Sequence, residues 1–445
     1  MESQIRHRLV LIPPPFQGHI TPMLQLATIL HSKGFSITIA HTHFNSPDPS
    51  NYPNFNFIPF FDALSNTQIS SKNFIDITST LNTKCVSSLK ELLIHEITKL
   101  THEKIVCIIY DGLLYFIDSL AKELKLPSIV FRTTSATNLL TYHACAELQS
   151  KGYLPLQDSK SCDLVPELNL LRFKDLPIFN STNPDDFLQN ITKTLSITPL
   201  GVSLEDSSLN QLQHLYKISL FPIGPLHMIA NDPNNNSNKT LQESHNCISW
   251  LNNQARNSVL YVSLGSIASW EEKELTEVAG GLSNSRQKFL WVIRPETVND
   301  VSAWSESLSE DVKEGMAARG CVVKWAPQNE VLAHEAVGGF WSHCGWNSTL
   351  ESLCEGVPII CQPYFGDQRV NARLLSHVWK VGLEWCNVIE KDEIERVVRR
   401  LMVDQEGEEM RQRAMKLKHV IGQAVTGSSS DSLNGLVKCI LSVNI

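Results

Sequence analysis

The chain has 445 residues, 42% of them apolar and 19% charged, with a formal net charge of −8. That length exceeds what one hydrophobic core usually organises, and the composition is that of a folded globular chain rather than a disordered one. The acidic excess excludes nucleic acid as a natural partner, because phosphate backbones are bound by basic surfaces.

Short β-branched runs alternate with longer helical patterns from end to end, which is the pattern of βαβ units and parallel sheets. Arg8–Ile12 reads as the first strand. Its apolar run is too short for a signal-peptide core, and Pro13, Pro14 and Pro15 follow it directly. Ile20–Leu30 then carries apolar residues at helical spacing. Phe35–Ala40, Ile105–Tyr110 and Ser128–Phe131 read as further strands, with a long helical stretch from Phe74 to Leu100 and a helix over Leu113–Leu124. From Ile229 to Lys239 the chain is polar and asparagine-rich, with nothing to bury. A second series follows, with strands expected at Ser258–Leu264, Lys288–Ile293, Cys321–Lys324, Gly338–Trp341 and Pro358–Cys361. Two Rossmann-like domains are therefore expected, at 1–228 and 244–428, with a linker at 229–243. A C-terminal helix at 429–445 is expected to pack back on the first domain.

No run of 18 apolar residues occurs, so no membrane span is expected. The eleven cysteines include no CxxC pair and read as reduced thiols, not as a disulfide framework. The expected setting is the cytoplasm and the expected state a monomer, so the sequon at Asn190 carries little weight.

Ligands of doubly wound sheets bind beyond the carboxyl ends of the strands. Polar residues should cluster there if the chain does chemistry, and they do. After Cys321–Lys324 comes Trp325-Ala326-Pro327-Gln328, and after Gly338–Trp341 comes Ser342-His343-Cys344-Gly345-Trp346-Asn347-Ser348-Thr349, opening a helix that contains Glu351. After Pro358–Cys361 comes Gln362-Pro363-Tyr364-Phe365-Gly366-Asp367-Gln368. A helix start binds phosphate through outward-pointing N–H groups and the positive end of its dipole. A tryptophan face can stack on a nucleobase, and an ionised glutamate accepts hydrogen bonds from a ribose diol. Trp325 or Trp346 taken alone would more often be a core aromatic, and Asn347-Ser348 an ordinary cap.

The 44 residues from Trp325 to Gln368 resemble the C-terminal signature box of plant UDP-dependent glycosyltransferases. The likeness extends to Pro13–His19, Phe221–Pro225 and Val262–Ser266. It implies a GT-B fold of class α/β, in which two Rossmann-like domains face each other across a cleft. It further implies that Trp325 stacks on uracil with Gln328 beside the uridine, and that Glu351 takes the ribose hydroxyls. His343, Asn347, Ser348 and Ser266 are then the diphosphate ligands, while Trp346, Asp367 and Gln368 hold the transferred sugar. A final glutamine goes mostly with glucose in this family, so Gln368 favours UDP-glucose as co-substrate.

His19 follows the first strand directly and Asp111 ends the strand Ile105–Tyr110, so two parallel strands present them on one rim. A carboxylate that holds an imidazole makes a competent general base. The resemblance gives His19 and Asp111 these roles and brings Thr133 near the sugar. It implies a single in-line displacement with inversion, without a metal or other cofactor, and the chain has no Asp-x-Asp. The acceptor is expected to be a small lipophilic molecule such as a flavonoid, a terpenoid or terpenoid glycoside, or another phenol. It would be lined from Pro14–Phe16, Phe74–Cys85, Thr134–His143 and Phe187–Leu195. The opening resembles the branch that includes cytokinin and diterpenoid-glycoside glucosyltransferases.

An oxidoreductase would need GxGxxG and a serine hydrolase GxSxG, and neither motif is present. A nucleotide-sugar-binding protein without catalysis is the remaining alternative. The chain departs from the family pattern at Leu200–Ser208, which lacks the usual Asn-Thr/Ser-Phe and is a few residues short. Arg132 beside Thr133 is also unusual, and is expected either to face solvent or to approach a donor phosphate.

Overall fold

Hydrophobic strands from each half of the chain pair into a parallel sheet of their own in the computed structural model. It describes residues 6–442 apart from 72, 100–102, 155–160, 167, 178–196, 200–202, 218, 231–240, 266–269, 295–300 and 386–388. Ser266, most of the expected linker and the expected acceptor-lining stretch Phe187–Leu195 lie outside the described residues.

The first sheet contains β1 (Arg6–Ile12), β2 (Ser36–Thr42), β3 (Asn56–Phe60), β4 (Glu103–Asp111) and β5 (Ser128–Arg132). An antiparallel hairpin of β6 (Leu164–Val165) and β7 (Leu168–Arg172) follows, before β8 (Ile197–Pro199) rejoins the sheet. Its order is β3-β2-β1-β4-β5-β8. The second sheet is built from β9 (Val259–Ser263), β10 (Lys288–Val292), β11 (Gly320–Val323), β12 (Val337–Ser342), β13 (Ile359–Cys361) and β14 (Gly382–Glu384). Its order, β11-β10-β9-β12-β13-β14, repeats the same doubly wound plan. Strand order reverses between β1 and β4 in one sheet and between β9 and β12 in the other, and crevices for ligands open at such reversals. Leu9, Val10, Leu11 and Ile12 are at most 1% exposed, as expected for a parallel strand covered on both faces.

Central strands and the edge strand β11 lie within a residue or two of their expected positions, whereas the other three edge strands, β3, β8 and β14, were not legible. β3 contains Pro59, which cannot donate to a ladder and is tolerated because β3 has a neighbour on one side only. β8 and β14 are three residues each, too short to show an alternating pattern. The long helix expected from Phe74 to Leu100 is two helices, α1 (Phe74–Lys84) and α2 (Val86–Thr98). They part at buried Cys85, whose thiol donates to the Asp62 carbonyl at 3.2 Å.

The compact units are not contiguous in sequence. One takes Met1–Ser161, Pro177–Ser237 and Gln423–Ile445, and the other Cys162–Leu176 and Asn238–Gly422. The β6–β7 hairpin thus belongs with the second sheet. The C-terminal helix Ser428–Ser442 belongs with the first, where Ser429 Oγ donates to the Gly224 carbonyl at 2.6 Å. The shortened stretch near residue 200 also has a structural role in the first unit. Glu205 accepts hydrogen bonds from the backbone N–H groups of Ala136 and Thr137 at 3.1 and 2.9 Å, capping the helix Ala136–Ser150. Trp270, Trp291, Trp304, Trp341 and Trp385 pack in the core of the second unit, with successive ring centroids 5.0–6.0 Å apart. No helix among the described residues is long and apolar enough to cross a membrane.

One buried ion pair ties a strand of the first sheet to its covering helix. Arg8 of β1 donates to the Glu96 carboxylate of α2 at 3.0 Å and to its carbonyl at 2.9 Å, and both side chains are buried. Removing Arg8 leaves the buried Glu96 carboxylate with the half-exposed Lys99 as its remaining ion-pair partner among the described residues, at a cost of up to about 3–5 kcal/mol. Arg8→Met should lower stability by about that much in urea unfolding, and the double variant Arg8→Met/Glu96→Leu should recover most of it.

Candidate functional site

In the first unit, the chain leaves β1 at Ile12 and enters the helix Gln17–Ser32, which places His19 in its first turn. Asp111 is the last residue of β4, the strand on the other side of the reversal. His19 Nδ1 lies 2.8 Å from Asp111 Oδ2, with the imidazole 21% exposed and the carboxylate 3%. The backbone N–H of Leu113 donates to the other carboxylate oxygen at 2.9 Å. An ionised carboxylate can only accept, so this geometry puts the proton on Nδ1 and leaves Nε2 as the acceptor. Thr133, directly after β5, brings its Oγ1 to 2.8 Å from the same Nδ1. Phe16 and Phe74 stand beside the imidazole, with centroids 6.0 and 6.4 Å from it and 4.7 Å from each other. Arg132 does not face solvent. It is 5% exposed and its guanidinium lies against Gly112, where a Cβ would come within 2.2 Å of Nη1. Burial pushes its pKa down, opposed by the charge of Asp111.

In the second unit, β9 and β12 end side by side. His343 follows β12, and its ring fits between Gly265 and Gly345, because a Cβ on either glycine would come within 2.5 Å of it. Gly265 also has φ +71°, and Cys344 has φ +63°, so the chain turns sharply on both sides of the ring. Burial, reinforced by the charge of Arg294, pushes His343 down to about 4 and leaves the imidazole neutral at physiological pH. Its Nδ1 has no hydrogen-bond partner among the described residues, and neither has the buried hydroxyl of Thr349. The helix α3 (Trp346–Glu355) begins here with Gly345 at its N-cap, so no side chain caps it. First-turn N–H groups, a neutral imidazole and an unpaired hydroxyl are suited to an anion.

Two further clusters flank this helix start. Trp325 follows β11 and is 42% exposed, as a stacking surface needs and a core aromatic would not be. Gln328 donates to Glu351 Oε2 at 2.6 Å and to Ser348 Oγ at 3.0 Å, and accepts from Tyr261 at 3.3 Å. Burial pushes Glu351 up to about 7, with the Gln328 bond acting the other way. After β13, Gln368 opens the short helix α4 (Gln368–Arg373), and its side-chain oxygen accepts from the N–H groups of Tyr364 and Phe365 at 2.8 and 3.1 Å. That leaves its amide N–H₂ as the group able to meet a ligand. Asn371 donates to Asp367 Oδ2 at 3.2 Å and to the Cys344 carbonyl at 3.0 Å, joining this cluster to the turn before α3. Trp346 is only 3% exposed and lies tilted against Trp379 with ring centroids 6.4 Å apart, so its position at the helix start, not its indole face, is what a ligand could meet.

Asn371 and Tyr261 were missed at the sequence level. Asn371 lies four residues after Asp367 on a helix, a spacing at which such side chains meet. Tyr261 gives no such signal, since within a strand it reads as core.

Two doubly wound sheets, one ending in a carboxylate-held imidazole and the other in an uncapped helix start beside an exposed indole, are the marks of a nucleotide-dependent transfer enzyme. Residues 59–421 match the family described as UDP-glucoronosyl and UDP-glucosyl transferase. The flavonol 3-O-glucosyltransferase UGT76E12 of Arabidopsis thaliana is 45% identical over 99% of this chain and 98% of its own length. UDP-glycosyltransferase 76E1 of Solanum lycopersicum is 44% identical over 99% of this chain and 94% of its own. Among solved structures, a UDP-glucose:anthocyanidin 3-O-glucosyltransferase in complex with UDP superposes with a TM-score of 0.81 at 25% identity, covering 99% of this chain and all of that one. The UGT2 of Phytolacca americana, complexed with UDP-2-fluoro-glucose and pterostilbene, gives 0.80 at 26% identity, covering 98% of this chain and all of that one. The chain belongs to the UDP-glycosyltransferase family.

The glycines around His343 provide a direct test. Gly345→Ala should push the ring aside and weaken UDP binding at least tenfold by calorimetry. Gly422→Ala, where an added Cβ meets nothing within 4 Å, should leave UDP binding unchanged.

Proposed function

We propose that the protein transfers glucose from UDP-glucose to a hydroxyl of a small lipophilic acceptor, with inversion at the anomeric carbon. The observation that carries this reading is the 2.8 Å contact between His19 Nδ1 and Asp111 Oδ2, which leaves Nε2 free of its proton. In this reading Nε2 takes the acceptor's proton as the acceptor oxygen attacks the anomeric carbon. The bond to the diphosphate breaks on the opposite face, and a β-glucoside and UDP result. Asp111 keeps the tautomer and offsets the charge that develops on the imidazole.

In this reading the leaving diphosphate is met by the first turn of α3, with His343, Asn347 and Ser348 around it. Charge that grows at the leaving oxygen is stabilised by dipoles already in place, without a metal. Trp325 stacks on uracil, Gln328 and Glu351 hold the uridine, and Asp367, Gln368 and the start of α3 at Trp346 hold the sugar. Thr133, in contact with the base, steadies the imidazole as well as lying near the sugar. The aromatic wall of Phe16 and Phe74 supports a flat or lipophilic acceptor, as does the resemblance to a flavonol glucosyltransferase. The test is UDP release from UDP-glucose in EDTA against a panel of plant phenols, terpenoids and their glucosides. Acceptor-dependent release supports the reading, and tight UDP binding with no release from any acceptor would favour a silent binding protein.

His19→Gln should lower kcat by about 10²–10⁴-fold, the usual worth of a general base, while UDP affinity stays within twofold. Equal losses in both would remove His19 from the base role.

Glu351 gives the donor step a pH dependence. Its pKa of about 7 in the free protein means it is largely protonated at pH 6, whereas accepting from a ribose diol needs the carboxylate. Binding therefore releases a proton, so UDP-glucose affinity should rise as pH increases towards 7 and level off above it. Glu351→Gln should bind more weakly and lose this dependence in a titration from pH 5.5 to 8.

A further inference from the structure

The helix α4 carries Gln368 at its first position and has only six residues, too few to hold its direction by its own hydrogen bonds. It runs into a π-helical turn at Leu374–Val378, a wider and less stable winding. Its orientation therefore comes from tertiary ties, and a group of them leads to the β6–β7 hairpin. Arg373 Nε donates to the Leu170 carbonyl at 2.9 Å, and Arg369 Nη1 makes a longer approach of 3.5 Å to the carbonyl of Lys174. The hairpin is itself held to the sheet by Arg172. That guanidinium takes Asp175 in a two-pronged pair at 2.9 and 2.7 Å and reaches Glu384 of β14 at 2.5 Å. Asp175 also lies 3.6 Å from Arg373, so one buried carboxylate joins the two arginines.

The geometry points to the β6–β7 hairpin as a positioning element for the sugar end of the donor: Arg373 and Arg172 set the direction of α4 and through it the aim of Asp367 and Gln368. This rests on the reading above, in which those two residues hold the transferred sugar. Arg373 and Arg172 touch no substrate in this assignment. They act through a short helix whose middle is tied by Asn371 to the Cys344 carbonyl and whose last residue is tied to the hairpin, and a small tilt misplaces groups whose worth depends on alignment with the sugar hydroxyls. UDP alone does not extend to that end of the donor. The ties should therefore matter for UDP-glucose and not for UDP.

The experiment compares UDP affinity by calorimetry with UDP-glucose kinetics in the full-length protein. Arg373→Met should lower kcat/KM for UDP-glucose at least tenfold and narrow the preference over UDP-galactose, with the Kd of UDP within twofold. Arg373→Lys keeps a donor for the Leu170 carbonyl and should recover most of the loss. Arg172→Met strands two carboxylates and can fail to fold, so Arg373 carries the test. Parallel losses in UDP and UDP-glucose, or no change in either, would overturn the assignment. Gln368→Ala is measured alongside. If it too leaves UDP-glucose kinetics unchanged, the sugar-site reading falls and the hairpin role with it. If Gln368→Ala is impaired and Arg373→Met is not, the hairpin role alone is wrong.

Discussion

The parallel pairing of β9 and β12 at the middle of the second sheet brings the two segments that leave them closer together than most side chains allow. Glycine at 265 and at 345 leaves a slot the width of one imidazole, and His343 fills it. Its burial keeps the ring neutral, its position leaves Nδ1 without a partner among the described residues, and the turn that accommodates it starts α3 without a side-chain cap. Glu351, Ser348 and Trp346 are placed by that helix. Asn371 carries the same constraint to Asp367 by bonding the carbonyl of Cys344 within the turn. The candidate site of the second unit is thus built outward from one close approach.

The first unit solves a different problem with the same strand order. Its reversal lies between β1 and β4, and the residues that emerge there are an imidazole and a buried carboxylate rather than a helix start aimed at an anion. Arg132 occupies the space beneath Gly112, so a positive charge lies near Asp111 without being available to solvent. The doubly wound plan supplies the place, and a few residues after each central strand supply the chemistry.

Much of this was legible in the sequence, for physical reasons that also mark where legibility stops. β1, β4, β9 and β12 are long or continuously apolar because they are covered on both faces, and the residues after them are read by simple adjacency. The edge strands β3, β8 and β14 pair on one side only, tolerate proline or shrink to three residues, and leave no pattern. Cys85, at φ −94° and ψ −3° between two helical residues, divides what reads as one helix without any proline or glycine to announce it. Tyr261 looks like core, since its bond to Gln328 joins residues distant in sequence, whereas Asn371 is marked only by its spacing from Asp367. The hairpin at 164–172 is harder still. Nothing in its composition says that it leaves the first unit to join the second, because that choice is made by Arg172, Asp175 and Glu384, the last more than two hundred residues away.

All nine tryptophans fall between Trp250 and Trp385, within the second unit, and five of them form its core. The intrinsic ultraviolet emission of the molecule is consequently a signal from one unit. Melting of the other is dark at that wavelength and visible only through its tyrosines. Trp325 is the most exposed indole, with Trp250 and Trp379 partly covered and the other six buried, so surface quenchers such as acrylamide or iodide dim it first.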